Sequence, residues 1–140
     1  MNLPGPVVLI DDDKDDQAIL VEVLQQLGIQ EVRIFDNCPD ALEFLKKTTE
    51  KPFVILCDIN LPRMNGLEFR REINESEYLR QKSIPFVFLS TSAIPDQVNE
   101  AYTLTVQGFF IKQFSMQGMQ ATLNCIMEYW LACIHPNAVK

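Results

Sequence analysis

Three uninterrupted apolar runs restrict the possible folds more than any other feature: PVVLI at 6–10, FVILC at 53–57 and IPFVFLS at 84–90. A strand without apolar–polar alternation is buried on both faces. Patterns with helical spacing lie between these runs. DQAILVEVLQQLG puts Ile19, Leu20, Val23, Leu24 and Leu27 on one stripe, and Gly28 suits the helix end. EVRIF alternates like a half-buried strand. NCPDALEFLKK reads as a helix capped by Asn37, with Ala41, Leu42 and Leu45 turned inward. NGLEFRREINES reads as a short helix after a turn, and IPDQVNEAYTL as a weaker helix with Pro95 in its first turn. GFFIK is a short strand, and a long helix starts at Ser115. The expectation is an α/β fold: a doubly wound parallel sheet of five strands alternating with five helices on both faces, with right-handed crossovers.

The 140 residues show no linker, repeat or low-complexity segment, so a single domain over 1–140 is expected. A net charge of -7 disfavours binding to nucleic acid or an anionic membrane by bulk attraction. No stretch approaches the roughly 20 apolar residues of a membrane span. MNLPGPVV lacks the basic segment and apolar core of a signal peptide. Cys38, Cys57, Cys125 and Cys133 form no CxxC pair and read as reduced thiols, which points to a cytoplasmic protein.

Sites in doubly wound sheets form beyond the carboxyl ends of the strands. Asp11, Asp12 and Asp13 follow the first strand, Asp58 the third, Ser90 ends the fourth, and Lys112 follows the fifth. Together they would place carboxylates, a hydroxyl and an ammonium in one crevice. Clustered carboxylates raise each other's pKa unless a cation is present. Mg2+ takes oxygen ligands and commonly keeps water and phosphate oxygens, so Asp12 and Asp58 suit it, with a backbone carbonyl from the following loop. A lysine supplies a point charge for a phosphoryl oxygen. A carboxylate can itself be the nucleophile, giving an aspartyl phosphate stabilised by metal and lysine.

The ordered set LIDDD, CDINLPRMNG, IPFVFLSTS and GFFIK resembles the receiver domain of two-component response regulators over nearly the full length. The resemblance implies a flavodoxin-like receiver fold with sheet order 2-1-3-4-5, and a phosphorylation-dependent switch rather than an enzyme. It implies Asp58 as phosphoacceptor and Mg2+ held by Asp12 and Asp58, by Asp11 through water, and by the Asn60 backbone carbonyl. It implies Lys112 as the lysine at the phosphoryl group, Ser90 as the switch hydroxyl and Phe109 as the switch aromatic. Gly66 would permit the tight loop after the acceptor. The implied donor is a histidine kinase or a histidine phosphotransfer protein. The response would be a change in the surface formed by the IPDQVNEAYTL helix, the GFFIK strand and the last helix. No output domain follows, so a stand-alone receiver acting on an unknown downstream protein is expected.

Two positions depart from the family pattern. Gln113 stands where proline usually follows the lysine, and Thr91 where alanine is common. A cis bond ahead of a non-proline residue costs about 2.5–4 kcal/mol, so Lys112–Gln113 is expected to be trans. Asp13, Asp15 and Asp16 are read as acids opening a helix. In the last helix, Leu123, Ile126, Met127, Trp130 and Ile134 should face the sheet, leaving Tyr129, Leu131 and Cys133 as a second apolar surface for a homodimer. His135, beside Pro136, is expected to be inert.

Three other readings compete. A calcium loop would place Asp11, Asp13 and Asp15 at positions one, three and five and Glu22 at twelve, but position six needs glycine and holds Asp16. An aspartate-nucleophile phosphatase needs an acid two residues after the nucleophile, where Asp58 is followed by Asn60 and Asp11 by Asp13. A receiver-like scaffold acting without phosphorylation has only Gln113 in its favour.

Overall fold

The computed structural model describes residues 1–139. The chain runs β1 (Val7–Ile10), α1 (Lys14–Gln26), β2 (Val32–Phe35), α2 (Cys38–Lys47), β3 (Val54–Cys57), α3 (Gly66–Glu75), α4 (Glu77–Lys82), β4 (Phe86–Ser90), α5 (Pro95–Thr103), β5 (Gly108–Ile111) and α6 (Met116–Ala132), then a 3-10 turn at Pro136–Ala138. The strands form one parallel sheet in the order β2-β1-β3-β4-β5. This is the expected doubly wound, flavodoxin-like architecture.

The helix count differs from expectation: the described residues contain six helices, not five. Ser76 accounts for the extra one. Its backbone is extended (φ -87°, ψ 111°), which stops α3, while its side chain accepts from the Leu79 N–H and caps α4. Leu79 then seats α4 in the core.

Two cores flank the sheet. Val8, Ile10, Ile55 and Cys57 face Ala41, Leu45, Phe69 and Ile73 on one side. Val7, Leu9, Val54 and Leu56 face Leu20, Leu24, Leu123 and Met127 on the other. Neighbouring strand residues thus enter opposite cores, which is why β1 and β3 read as unbroken apolar runs. β2 lies at the sheet edge and is only half-buried, but burial does not follow its alternation: Val32, Arg33 and Phe35 are half-buried and Ile34 is exposed. Two stripe assignments need correction. Ile19 on α1 is exposed, and Ile134 is 83% exposed because it lies beyond the end of α6, where helical spacing no longer applies.

His135 also departs from expectation. Its buried ring stacks on Phe53 at 4.7 Å and bonds the Phe53 carbonyl through Nε2 at 2.8 Å, while Nδ1 accepts from the Asn137 N–H. The Asn137 side chain donates to the carbonyls of Lys51 and Pro52. The segment after α6 therefore straps the amino-terminal end of the sheet.

Candidate functional site

Register brings the site together. Ile10 pairs with Cys57 and Ser90 with Ile111, so the residues just past β1, β3 and β5 emerge side by side. Backbone bonds extend the ladder one step further. The Asp11 N–H reaches Phe35 O (3.0 Å), Asp58 N–H reaches Ile10 O (3.0 Å) and Lys112 N–H reaches Ser90 O (2.7 Å).

Asp11, Asp12 and Asp58 each place a carboxylate oxygen within 4.8 Å of the others. Asp11 and Asp58 are buried, whereas Asp12 is exposed at the rim. Such closeness is costly without a countercharge, and Lys112 supplies one. Its buried Nζ donates to Asp58 Oδ2 at 3.1 Å and to Asp16 Oδ2 at 2.9 Å. It also lies 2.6 Å from Asp11 Oδ2, an ion pair off hydrogen-bond alignment that leaves this oxygen without a hydrogen-bond partner. Burial pushes the Asp11 carboxyl above its ordinary value, against the pull of Lys112. For Lys112 burial opposes the charge, but contacts to Asp11 and Asp16 and the field of Asp58 outweigh it and raise its pKa. The ammonium is therefore fixed in its charged form at neutral pH.

The donor set fits a hard divalent cation: three carboxylates converge, and one buried oxygen lacks a hydrogen-bond donor. The loop after β3 adds to it. The Asn60 N–H points back to Asp58 Oδ1 at 3.3 Å, and Asn60 is exposed at the rim. Gly66 matters for clearance rather than for a left-handed turn. A Cβ there would strike the Asp58 carbonyl and come within 2.8 Å of the Phe88 ring.

Ser90 closes β4 with its hydroxyl fully buried and without a hydrogen-bond partner. Two residues back on the same strand, Phe88 packs against half-buried Phe109 of β5, ring centroids 6.0 Å apart. The Lys112–Gln113 bond is trans, as expected, and the Gln113 side chain bonds only to Ile111 O.

Sequence reasoning missed one member of this group. The sequence places Asp16 only at the helix opening, together with Asp13 and Asp15. Asp13 does cap α1, accepting from the Asp15 and Asp16 N–H groups. Asp16, however, turns toward the sheet and meets Lys112. No sequence signal separates Asp16 from Asp13 and Asp15; in the structure the neighbouring Gln17 amide bonds the Asp11 carbonyl, on the side of α1 that faces the site.

Comparison with known proteins agrees with this geometry. The family model described as response regulator receiver domain matches residues 7–124. Response regulator Rcp1 of Synechocystis sp. is 32% identical over 139 residues, covering 95% of this chain and 93% of its own. The phosphorylated cyanobacterial phytochrome response regulator RcpA superposes with a TM-score of 0.82 at 28% identity, covering 91% of this chain and 94% of its own. The Mn2+-bound form of Rcp1 gives 0.80 at 30% identity, covering 94% and 97%.

Proposed function

Because this chain belongs to the response regulator receiver domain family, we propose that it is a signalling switch in which Asp58 accepts a phosphoryl group. The carrying observation is the Lys112 Nζ hydrogen bond to Asp58 Oδ2 within a three-carboxylate cluster. An Asp58 carboxylate oxygen attacks phosphorus. A P–O bond forms, and the bond to the donor's leaving group breaks with its electron pair. From a phosphohistidine donor, the imidazole leaves and takes up a proton. Lys112 follows the negative charge onto a phosphoryl oxygen. Asp11, Asp12, Asp58 and the Asn60 carbonyl would hold Mg2+, with Asp11 acting through water; the convergence of the three carboxylates supports this, and Rcp1 has a Mn2+-bound form. When bound, the cation neutralises charge on the transferring group.

Ser90 then finds a partner for its buried hydroxyl in a phosphoryl oxygen. Its displacement frees space next to β5, and Phe109 turns inward by ring packing alone, since phenylalanine carries no hydroxyl. The surface of α5, β5 and α6 changes as a result. Exposed Ile94, Tyr102, Ile111 and Phe114 make that surface suited to a downstream protein. The donor is a histidine kinase or a histidine phosphotransfer protein. Exposed Tyr129, Leu131 and Ile134 also support pairing of two copies, and sedimentation showing only monomer at high concentration would remove that element.

Incubation with acetyl phosphate and Mg2+, read by intact mass, tests the proposal. One phosphoryl adduct is expected on the wild type and none on Asp58→Asn. No adduct on the wild type, or an undiminished adduct on the variant, overturns it.

A further inference from the structure

We propose that Asp16 is a positioning residue for phosphoryl transfer, anchoring the Lys112 ammonium beside Asp58; this rests on the function proposed above. Lysine ends a flexible four-carbon stem in three donors, and its head goes where carboxylates hold it. Lys112 is tied at its backbone by the bond from its N–H to Ser90 O, but that bond does not aim the stem. The next residue does not aim it either, because the Gln113 side chain is exposed and bonds only to Ile111 O. The head is therefore set by carboxylates, and its two hydrogen bonds go to Asp16 Oδ2 at 2.9 Å and Asp58 Oδ2 at 3.1 Å.

These two partners behave differently during a cycle. Asp58 becomes an acyl phosphate, and Asp11, the third neighbour, belongs to the cation cluster together with Asp12 and Asp58. Both change charge environment as cation and phosphoryl group come and go. Asp16 lies outside that cluster and is not itself phosphorylated in the proposed cycle. Its backbone is also tied down. Its N–H bonds to Asp13 Oδ1 at 3.1 Å, and the Gln17 amide at the next position is tied to the Asp11 carbonyl. The first turn of α1 thus offers the ammonium a second carboxylate partner besides the reacting one. A general effect of helix-opening acids does not account for this placement. Asp15 occupies the same first turn, is exposed and makes no contact with Lys112.

The test is the time course of phosphorylation by acetyl phosphate at saturating Mg2+, with half-saturating Mg2+ measured separately. Asp16→Ala is expected to lower the limiting rate by about tenfold or more, toward the roughly hundredfold cost of a 1 Å misplacement, with half-saturating Mg2+ within about twofold of wild type. Asp16→Asn keeps an oxygen that accepts from the ammonium and should restore most of the rate. Asp15→Ala should match wild type. A limiting rate in Asp16→Ala equal to or above wild type overturns the assignment, as does an equal loss in Asp15→Ala or a loss explained by weakened Mg2+ binding. Wild-type protein that takes no phosphoryl group overturns the underlying function, and the assignment with it. Adducts that form equally well with and without Asp16 overturn the assignment alone.

Discussion

Asp11 sits where a carboxylate is least stable, buried between Asp58 and the start of α1. Burial raises its pKa above 3.8, so the folded state holds this proton more tightly than the unfolded chain does. Its contribution to stability is full below about pH 3.8 and is lost as pH rises through the raised folded value. Asp11→Asn should therefore be more stable than wild type at neutral pH in metal-free buffer. The gap should close as pH falls toward 3.8, and urea midpoints across that range will show it. A gap independent of pH counts against the assignment. Lys112 acts in the opposite sense. Lys112→Met leaves Asp11 and Asp58 without their countercharge and should cost about 3 kcal/mol in the same buffer. Added Mg2+ should recover part of that loss, so calorimetry with and without the cation checks it. Asp11, Asp58 and Lys112 were legible because each directly follows an apolar run, and sheet topology then fixes where they meet. Asp16 was not legible as a site residue, because its direction depends on how α1 rotates against the sheet. A composition rule for helix openings says nothing about that rotation.

Local signals account for most elements. Asn37, Asn65 and Ser115 cap α2, α3 and α6 with their side chains, and Pro95 opens α5. The boundary between α3 and α4 was harder to read. The sequence reading ends the helix at Ser76 and assigns nothing to EYLRQK, because a six-residue helix is too short to show a period; the extended backbone of Ser76 separates the two helices. Ser76→Ala should lose the α4 cap and destabilise the protein by about 1 kcal/mol in chemical unfolding. An unchanged midpoint would show that Leu79 alone holds α4. The strap after α6 is the other element hidden in the sequence. Its partners, Phe53, Lys51 and Pro52, lie more than 80 residues away, and no periodicity reports so distant a contact. His135→Ala removes a stacked ring and leaves the Phe53 carbonyl without its donor. An expected loss on the order of 3 kcal/mol can be measured by urea unfolding. A change within about 0.5 kcal/mol, typical of a surface position, would place the strap outside the cooperative core.

Viewed as a whole, the molecule has two ends with different tasks. The carboxyl ends of the strands gather like charges at a cost to stability, while the strap closes the amino-terminal end. Binding of a cation at the first end should therefore register globally. A ligand at a hundredfold its dissociation constant stabilises by about 2.7 kcal/mol. Saturating Mg2+ should raise the thermal midpoint of the wild type and EDTA should reverse the rise. Asp12→Ala should show much the smaller shift. Fold class was legible at this scale because both-face burial leaves few alternatives to a parallel sheet. Strand order was not derivable from the runs themselves and came from family resemblance, since several orders bury the same residues.

The chain positions from Asp11 to Lys112 have one further consequence. The chemistry is divided among segments that meet only when β1, β3, β4 and β5 lie in register. A copy that has lost that register holds isolated acids and a stray amine, and the proposed phosphoryl transfer has no site in it. Under the proposed switch, damage yields a mute molecule rather than one stuck sending its message.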